Sequence, residues 1–187
     1  MEIAETQIPG VLIIDPGRHE DERGWLSEVW NPSVLAAAGF DATFVQDNQS
    51  HNPKAGAVRA LHFQVPPHAQ GKLIVCLSGA VYDVAVDLRV GSPTYGQHVG
   101  LHMSADDTRQ MWIPPGLAHG YCALEDNSRV LYKLTTPFVP EATGGLLWND
   151  PELGIDWPLA PGTERVNARD NSWPGLSGFE SPFRWED

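Results

Sequence analysis

The chain has 187 residues, of which 42% are hydrophobic and 19% charged, with 7 Trp, a composition too apolar for disorder and a length that suits one domain burying roughly 70% of its unfolded surface. Its 12 Lys and Arg stand against 24 Asp and Glu, a formal charge of -12, which repels a nucleic-acid backbone and an anionic membrane surface. No apolar run approaches the ~20 residues of a spanning helix, and Met1-Glu2-Ile3-Ala4-Glu5 lacks the basic and apolar regions of a secretion signal, so a cytoplasmic protein with neither nucleic-acid nor membrane partners is expected.

The 18 Gly and 16 Pro fall between short runs rich in Val, Ile, Phe, Tyr and Trp, the punctuation of an all-β chain. In order, the predicted strands are Val11–Ile14, Leu26–Trp30, Thr43–Asn48, Val58–Gln64, Lys72–Ser78, Ala80–Leu88, Gln97–Met103, Arg109–Ile113, Gly120–Leu124 and Arg129–Thr135. About ten strands with turns between them predict a sandwich or jelly-roll barrel. Helix is scarce: Ser33 to Ala38 is the one predicted, with Ser33 as its N-cap and Gly39 as its stop. Ser78-Gly79 joins two strong strands and reads as a hairpin. Between Val81 and Leu88, alternation puts Tyr82, Val84, Val86 and Leu88 on one dry face and Asp83 and Asp87 on the other. After Trp148-Asn149-Asp150-Pro151 the alternation fades. Residues 1–187 are therefore expected to form one domain, with 150–187 as an irregular segment packed on the barrel.

Candidate chemistry is sparse by spacing alone. Cys76 and Cys122 lie in apolar runs without a Cys-x-x-Cys pattern and read as buried thiols. A metal-binding barrel calls for His-x-His with a nearby Glu, but Ala60 and Gln64 flank His62 at two residues, and His98 and His102 have no accompanying carboxylate. No nucleophile elbow or phosphate loop occurs. No metal is expected. What remains is a set of polar residues inside apolar strands: Arg59 and His62 around Ala60-Leu61, Lys72 at the head of a Leu-Ile-Val strand, and Tyr132 in Val-Leu-Tyr-Lys-Leu. A lone strand His or Tyr is ordinarily a satisfied core residue, and Lys72 and Arg59 are ordinarily edge charges. Strand parity also sends Arg59 and His62 to opposite faces unless a bulge intervenes. These residues alone describe a barrel with a polar pocket.

The same residues sit in an ordered series of motifs. It includes Asp21-Glu22-Arg23-Gly24, Phe44-Val45-Gln46-Asp47-Asn48, Arg59-Ala60-Leu61-His62-Phe63-Gln64 and Gln70-Gly71-Lys72-Leu73. It continues through Asp83-Val84-Ala85-Val86-Asp87-Leu88-Arg89, Ser92-Pro93-Thr94-Tyr95-Gly96, Trp112 to Gly120, Leu131-Tyr132-Lys133, Leu147 to Pro151 and Ile155-Asp156-Trp157-Pro158. In these motifs, spread from about residue 3 to 170, the chain resembles the dTDP-4-dehydrorhamnose 3,5-epimerases of nucleotide-sugar metabolism.

The resemblance implies an all-β, cupin-type jelly-roll barrel with few short helices, no metal and no redox cofactor, working as a homodimer. It implies inversion at C3 and C5 of a dTDP-4-keto-6-deoxyhexose. Both carbons flank the C4 ketone, so the reaction needs a base, an enolate stabiliser and an acid on the opposite face. By resemblance His62 is the base, Asp170 orients it, Lys72 holds the charge on O4, and Tyr132 is the acid. Arg59, His119 and Arg169 match positions that contact the nucleotide or its phosphates, Arg23 and Glu28 match residues supplied across the dimer, and Gln46 and Asn48 match readers of thymine and sugar. Three departures stand out: Phe138 where a thymine-stacking Tyr is usual, Thr143 where Glu is common, and Ala60 in place of Gly. They bear on nucleotide preference and on which carbons are inverted. The rival readings are a mono-epimerase, a silent nucleotide-sugar-binding jelly roll and a metal-dependent cupin oxygenase.

Overall fold

The computed structural model describes residues 1–37 and 39–185. The strands are β1 Glu2–Glu5, β2 Leu12–Asp15, β3 His19–Asp21, β4 Gly24–Leu26, β5 Gln46–Asn52, β6 Val58–Gln64 and β7 Lys72–Ser78, followed by β8 Ala80–Asp87, β9 His98–Ser104, β10 Gln110–Ile113, β11 Leu117–Ala123, β12 Ser128–Leu134 and β13 Thr143–Gly145. They form a six-stranded sheet in the order β1-β2-β10-β7-β12-β5, a five-stranded sheet in the order β13-β6-β11-β8-β9, and the small β3-β4 ribbon. Every pair of named strands is antiparallel. The two large sheets face each other across Ile74, Cys76, Met111, Ile113 and Val130 on one side and Val81, Ala85, Met103 and Tyr121 on the other. This is the jelly-roll architecture: two sheets close on a shared interior that can be walled by side chains or left open as a cavity.

Ser78-Gly79 is not a hairpin. β7 belongs to one sheet and β8 to the other, and the chain turns the corner between them at Gly79, whose φ is +68°. A Cβ on Gly79 would lie 2.5 Å from Ser128 Oγ and 3.0 Å from Ser128 Cα, so the corner requires glycine. Linear sequence cannot distinguish this switch between sheets from a tight turn within one.

β8 is buried on both faces rather than one. Val84, Val86 and Leu88 pack outward against Trp148, Trp157 and Phe183, while Val81 and Ala85 face the space between the sheets. By alternation Asp83 and Asp87 share that inner face, and both carboxylates are fully buried. Asp87 is satisfied by Arg89, Ser92 and Thr94. The chain beyond β13 covers the outer face of the five-stranded sheet, with isolated bridges from Arg165 to Ala57 and from Arg184 to Val90.

Other boundaries moved for local reasons. The strand expected at Thr43–Asn48 runs from Gln46 to Asn52, where a polar run is recruited by pairing along all of β12. The strand expected at Leu26–Trp30 keeps only Leu26, at the end of the short β3-β4 ribbon. β1 and β13, short and poor in β-branched residues, were not expected. The helix α1 spans Pro32–Ala37, while Ala38, expected as its last residue, lies outside the described residues. Its cap is Asn31, not Ser33: Asn31 Oδ1 accepts from the backbone N–H groups of Ser33 and Val34 at 3.1 and 3.3 Å, leaving Pro32 at the first helical position.

Candidate active site

The site begins with a bulge. On β11 His119 and Tyr121 are two positions apart, but their partners on β6, His62 and Arg59, are three apart. The extra residue turns Arg59 and His62 into the same cavity, which resolves the parity conflict. Gly120 makes room for it, since a Cβ there would fall 2.3 Å from the Cβ of Ala60. The Ala60 methyl thus occupies space that the missing side chain of Gly120 leaves free.

The cavity holds about 240 Å³ and gathers His62, Lys72, His119, Tyr132 and Asp170, with Arg59, Asn48, Phe138 and Arg169 among its other walls. Lys72 is no edge charge: β7 lies between β10 and β12. Its Nζ donates to the His62 carbonyl oxygen at 3.1 Å. Burial pushes the Lys72 ammonium down to about 8, against the opposing pull of Asp83.

Asp170 comes from the irregular C-terminal segment. Its backbone N–H donates to Asn167 Oδ1 at 2.7 Å. The neighbouring Asn171 is fixed by Trp148 Nε1 at 3.0 Å. The fully buried Asp170 carboxylate meets His62 Nε2 at 2.8 Å. Burial alone would raise its pKa, but the hydrogen bond and charge of His62, with Arg169 nearby, hold it below the usual carboxylate range. With Nε2 committed, Nδ1 is the ring nitrogen of His62 left to act on another molecule.

A second pair lies beside the first. His119 Nε2 donates to the fully buried Asp83 at 2.8 Å. Burial depresses the His119 pKa, although Asp83 opposes this. Arg59 Nε is steered by Asn52 Oδ1 at 3.0 Å, and Asn52 in turn holds the Tyr121 hydroxyl at 3.2 Å. At the rim, half-exposed Phe138 is fastened through its backbone N–H to Gln46 Oε1 at 2.9 Å. Gln46 also donates to Asn48 at 2.9 Å, so it braces the rim without lining the cavity.

Arg23 and Glu28 are not brought to this cavity. Arg23 is paired with Asp21 on the exposed β3-β4 ribbon, and Glu28 accepts from Asn31 at 3.1 Å. Sequence reasoning passed over Gln64, Gln70, Tyr121 and Asn167 as cavity walls and Asp83 as the partner of His119. Only Asp83 carried a signal, as a carboxylate alternating with valines. Among the described residues no group of three or more His, Cys, Asp or Glu side chains is arranged to hold a metal ion, and no helix is long and apolar enough to cross a membrane.

Residues 5–178 match the family model of dTDP-4-dehydrorhamnose 3,5-epimerase. The enzyme of that name from Salmonella typhimurium is 45% identical over 94% of this chain and 96% of its own length. A Legionella pneumophila dTDP-6-deoxy-D-glucose-3,5-epimerase, solved in complex with dTDP-4-keto-L-rhamnose, superposes with a TM-score of 0.93 at 38% identity, covering 100% of this chain and 99% of the other. A 3'-monoepimerase from Streptomyces bikiniensis, in complex with dTDP-quinovose, superposes with a TM-score of 0.85 at 31% identity over 92% of this chain and 86% of its own.

Proposed function

The chain belongs to the dTDP-4-dehydrorhamnose 3,5-epimerase family, and from that premise we propose how its residues carry out the reaction. The activity is conversion of dTDP-4-dehydro-6-deoxy-D-glucose to dTDP-4-dehydro-L-rhamnose. His62 removes the proton next to the C4 ketone through Nδ1, while Asp170 fixes the ring and stabilises the imidazolium. The electron pair moves onto O4, where the Lys72 ammonium, itself desolvated by burial, meets the developing charge. Tyr132, on the six-stranded sheet across from His62, returns a proton to the opposite face of the carbon. The observation that carries this reading is the convergence of the His62–Asp170 pair, Lys72 and Tyr132 in one cavity.

Arg59 and Arg169 neutralise the diphosphate, a local cationic patch on a chain of net charge -12. Phe138 stacks on the base without the hydroxyl of a Tyr, and Asn48 reads the polar edge beside it. The protein works as a cytoplasmic homodimer of one-domain chains, in which the β3-β4 ribbon of one copy carries Arg23 and Glu28 to the cavity of the other. Trp25, Leu26 and Val29 on and after that ribbon are 55%, 67% and 53% exposed, an apolar face suited to such a contact. Residues 150–187 serve the same domain by delivering Asp170.

The test is incubation with dTDP-4-dehydro-6-deoxy-D-glucose in D₂O, following the C3 and C5 protons by NMR. Loss of both signals is expected. Loss of only one supports the mono-epimerase reading, an activity that a fold of this kind carries in the Streptomyces bikiniensis enzyme. Loss of neither overturns the assignment.

A further inference from the structure

Two imidazoles, each backed by a buried carboxylate at 2.8 Å, stand side by side in this cavity. His62 and His119 are direct partners across the β6-β11 pair, which places their Cβ atoms about 4.5–5.5 Å apart. The His119 ring centre is also 6.5 Å from that of Tyr132, edge to face. His119 is therefore neighbour to both the base and the acid.

Double inversion creates work for such a neighbour. In the first inversion the C–H bond breaks, its proton goes to His62 Nδ1 and its electron pair to O4. The enolate carbon then takes the Tyr132 hydroxyl proton. The sugar is isomerised, but His62 is left protonated and Tyr132 is left as a phenolate. A second inversion on the same bound sugar cannot start until that proton has crossed the site. We propose that His119, held by Asp83, is the relay that moves it, resetting base and acid between the two inversions; this rests on the roles given above to His62 and Tyr132. The His62 Nδ1 proton passes to His119 Nδ1, and His119 passes it to the Tyr132 oxygen. No proton is gained or lost overall.

The groups around His119 fit it for this task better than they fit each other. Lys72, from β7, is needed as a cation and is engaged by the His62 carbonyl. Arg59, from β6, does not release a proton. Tyr121, on the same strand, has its hydroxyl bound by Ser50 and Asn52. Asp83, from β8, commits Nε2 of His119 and leaves Nδ1 as the acceptor. Burial first, and then the nearby Lys72 and His62, press the His119 pKa downward, with Asp83 opposing. Burial thus favours the neutral ring between transfers.

The experiment is a single turnover in D₂O with enzyme in excess, comparing wild type with His119→Gln and His119→Asn. Gln retains an amide N–H for Asp83, so the buried carboxylate keeps a partner, yet it cannot carry a proton. The ratio of doubly to singly inverted product is expected to fall at least tenfold in both variants and to recover several-fold with added imidazole. An unchanged ratio, or parallel loss at both carbons without recovery, overturns the relay. A second measurement needs no variant: substrate deuterated at the carbon that exchanges first, turned over once by wild type in H₂O, is expected to carry part of its label to the other carbon. Absence of that transfer overturns the relay as well. Failure of the underlying reading looks different, because wild type would then exchange neither carbon or His62→Ala would still exchange both.

Discussion

Lys72 Nζ donates to the carbonyl oxygen of His62 at 3.1 Å, so the cation and the proposed base are tied through the main chain of β6. Any shift of β6 moves both relative to the bound ketone. The bulge that brings Arg59 and His62 together thereby also sets the reach of Lys72.

Lys72, as the proposed enolate stabiliser, is expected to govern the alkaline limb. Burial holds its pKa near about 8, so the ammonium is lost as pH rises through that value, and kcat/KM is expected to fall with it. In the unfolded chain the group returns to 10.5. Between about 8 and 10.5 the unfolded state thus binds more protons, and this group makes folding more favourable as pH rises. Lys72→Met is expected to lower kcat by about 10²–10³-fold and to abolish both dependences. A pH–rate profile and melting curves across that window check it.

Asp170 acts on the opposite side of neutrality. Its folded pKa is depressed, so its contribution to stability is present above the ordinary carboxylate value and is lost as pH falls through the folded one. Asp170→Asn is expected to reduce kcat by on the order of 10³–10⁴-fold with KM changed far less, and to remove that acid dependence of stability. Steady-state kinetics and acid unfolding followed by circular dichroism report the two effects.

Gly120→Ala tests the bulge. The new Cβ would sit 2.3 Å from Ala60 Cβ and 3.1 Å from the Arg59 carbonyl oxygen, and a cost of about 1–3 kcal/mol is expected in denaturant melts. Adding Ala60→Gly removes the first clash but leaves the Cα of residue 60 at 2.7 Å and the carbonyl oxygen, so stability and activity recover in part. Full recovery or none would show that the clash is misassigned.

Phe138→Ala is expected to raise KM about 3- to 10-fold, the worth of one aromatic stack, and to leave kcat nearly constant. Phe138→Tyr tests whether the missing hydroxyl matters: tighter binding of dTDP by titration calorimetry is the expected result.

Much of the barrel was legible because alternation survives wherever a strand has one neighbour of each kind; β6, β7 and β12 were found within a residue of their ends. Two kinds of feature escaped. Gly79 reads as a turn in either setting, since local chain direction says nothing of which sheet receives the next strand. β5 is polar along its length and gains its regularity from β12, a partner some 80 positions away. In the site, His62, Lys72 and Tyr132 announced themselves as polar residues in apolar strands, but their meeting depends on the bulge. Asp170 lies in a segment with no periodicity, and only the family resemblance connected it to His62, 108 residues earlier.

That separation has a consequence for synthesis. Among the described residues all thirteen strands lie before residue 146, whereas the carboxylate proposed to arm the base is at position 170, where the backbone N–H is bound by Asn167 and the next residue, Asn171, by Trp148. On the ribosome, where folding proceeds from the N-terminus, the imidazole is made long before its partner. Premature termination soon after the last strand removes Asp170 together with Trp157 and Phe183, so the same cut that takes the carboxylate from His62 also uncovers Val84, Val86 and Leu88.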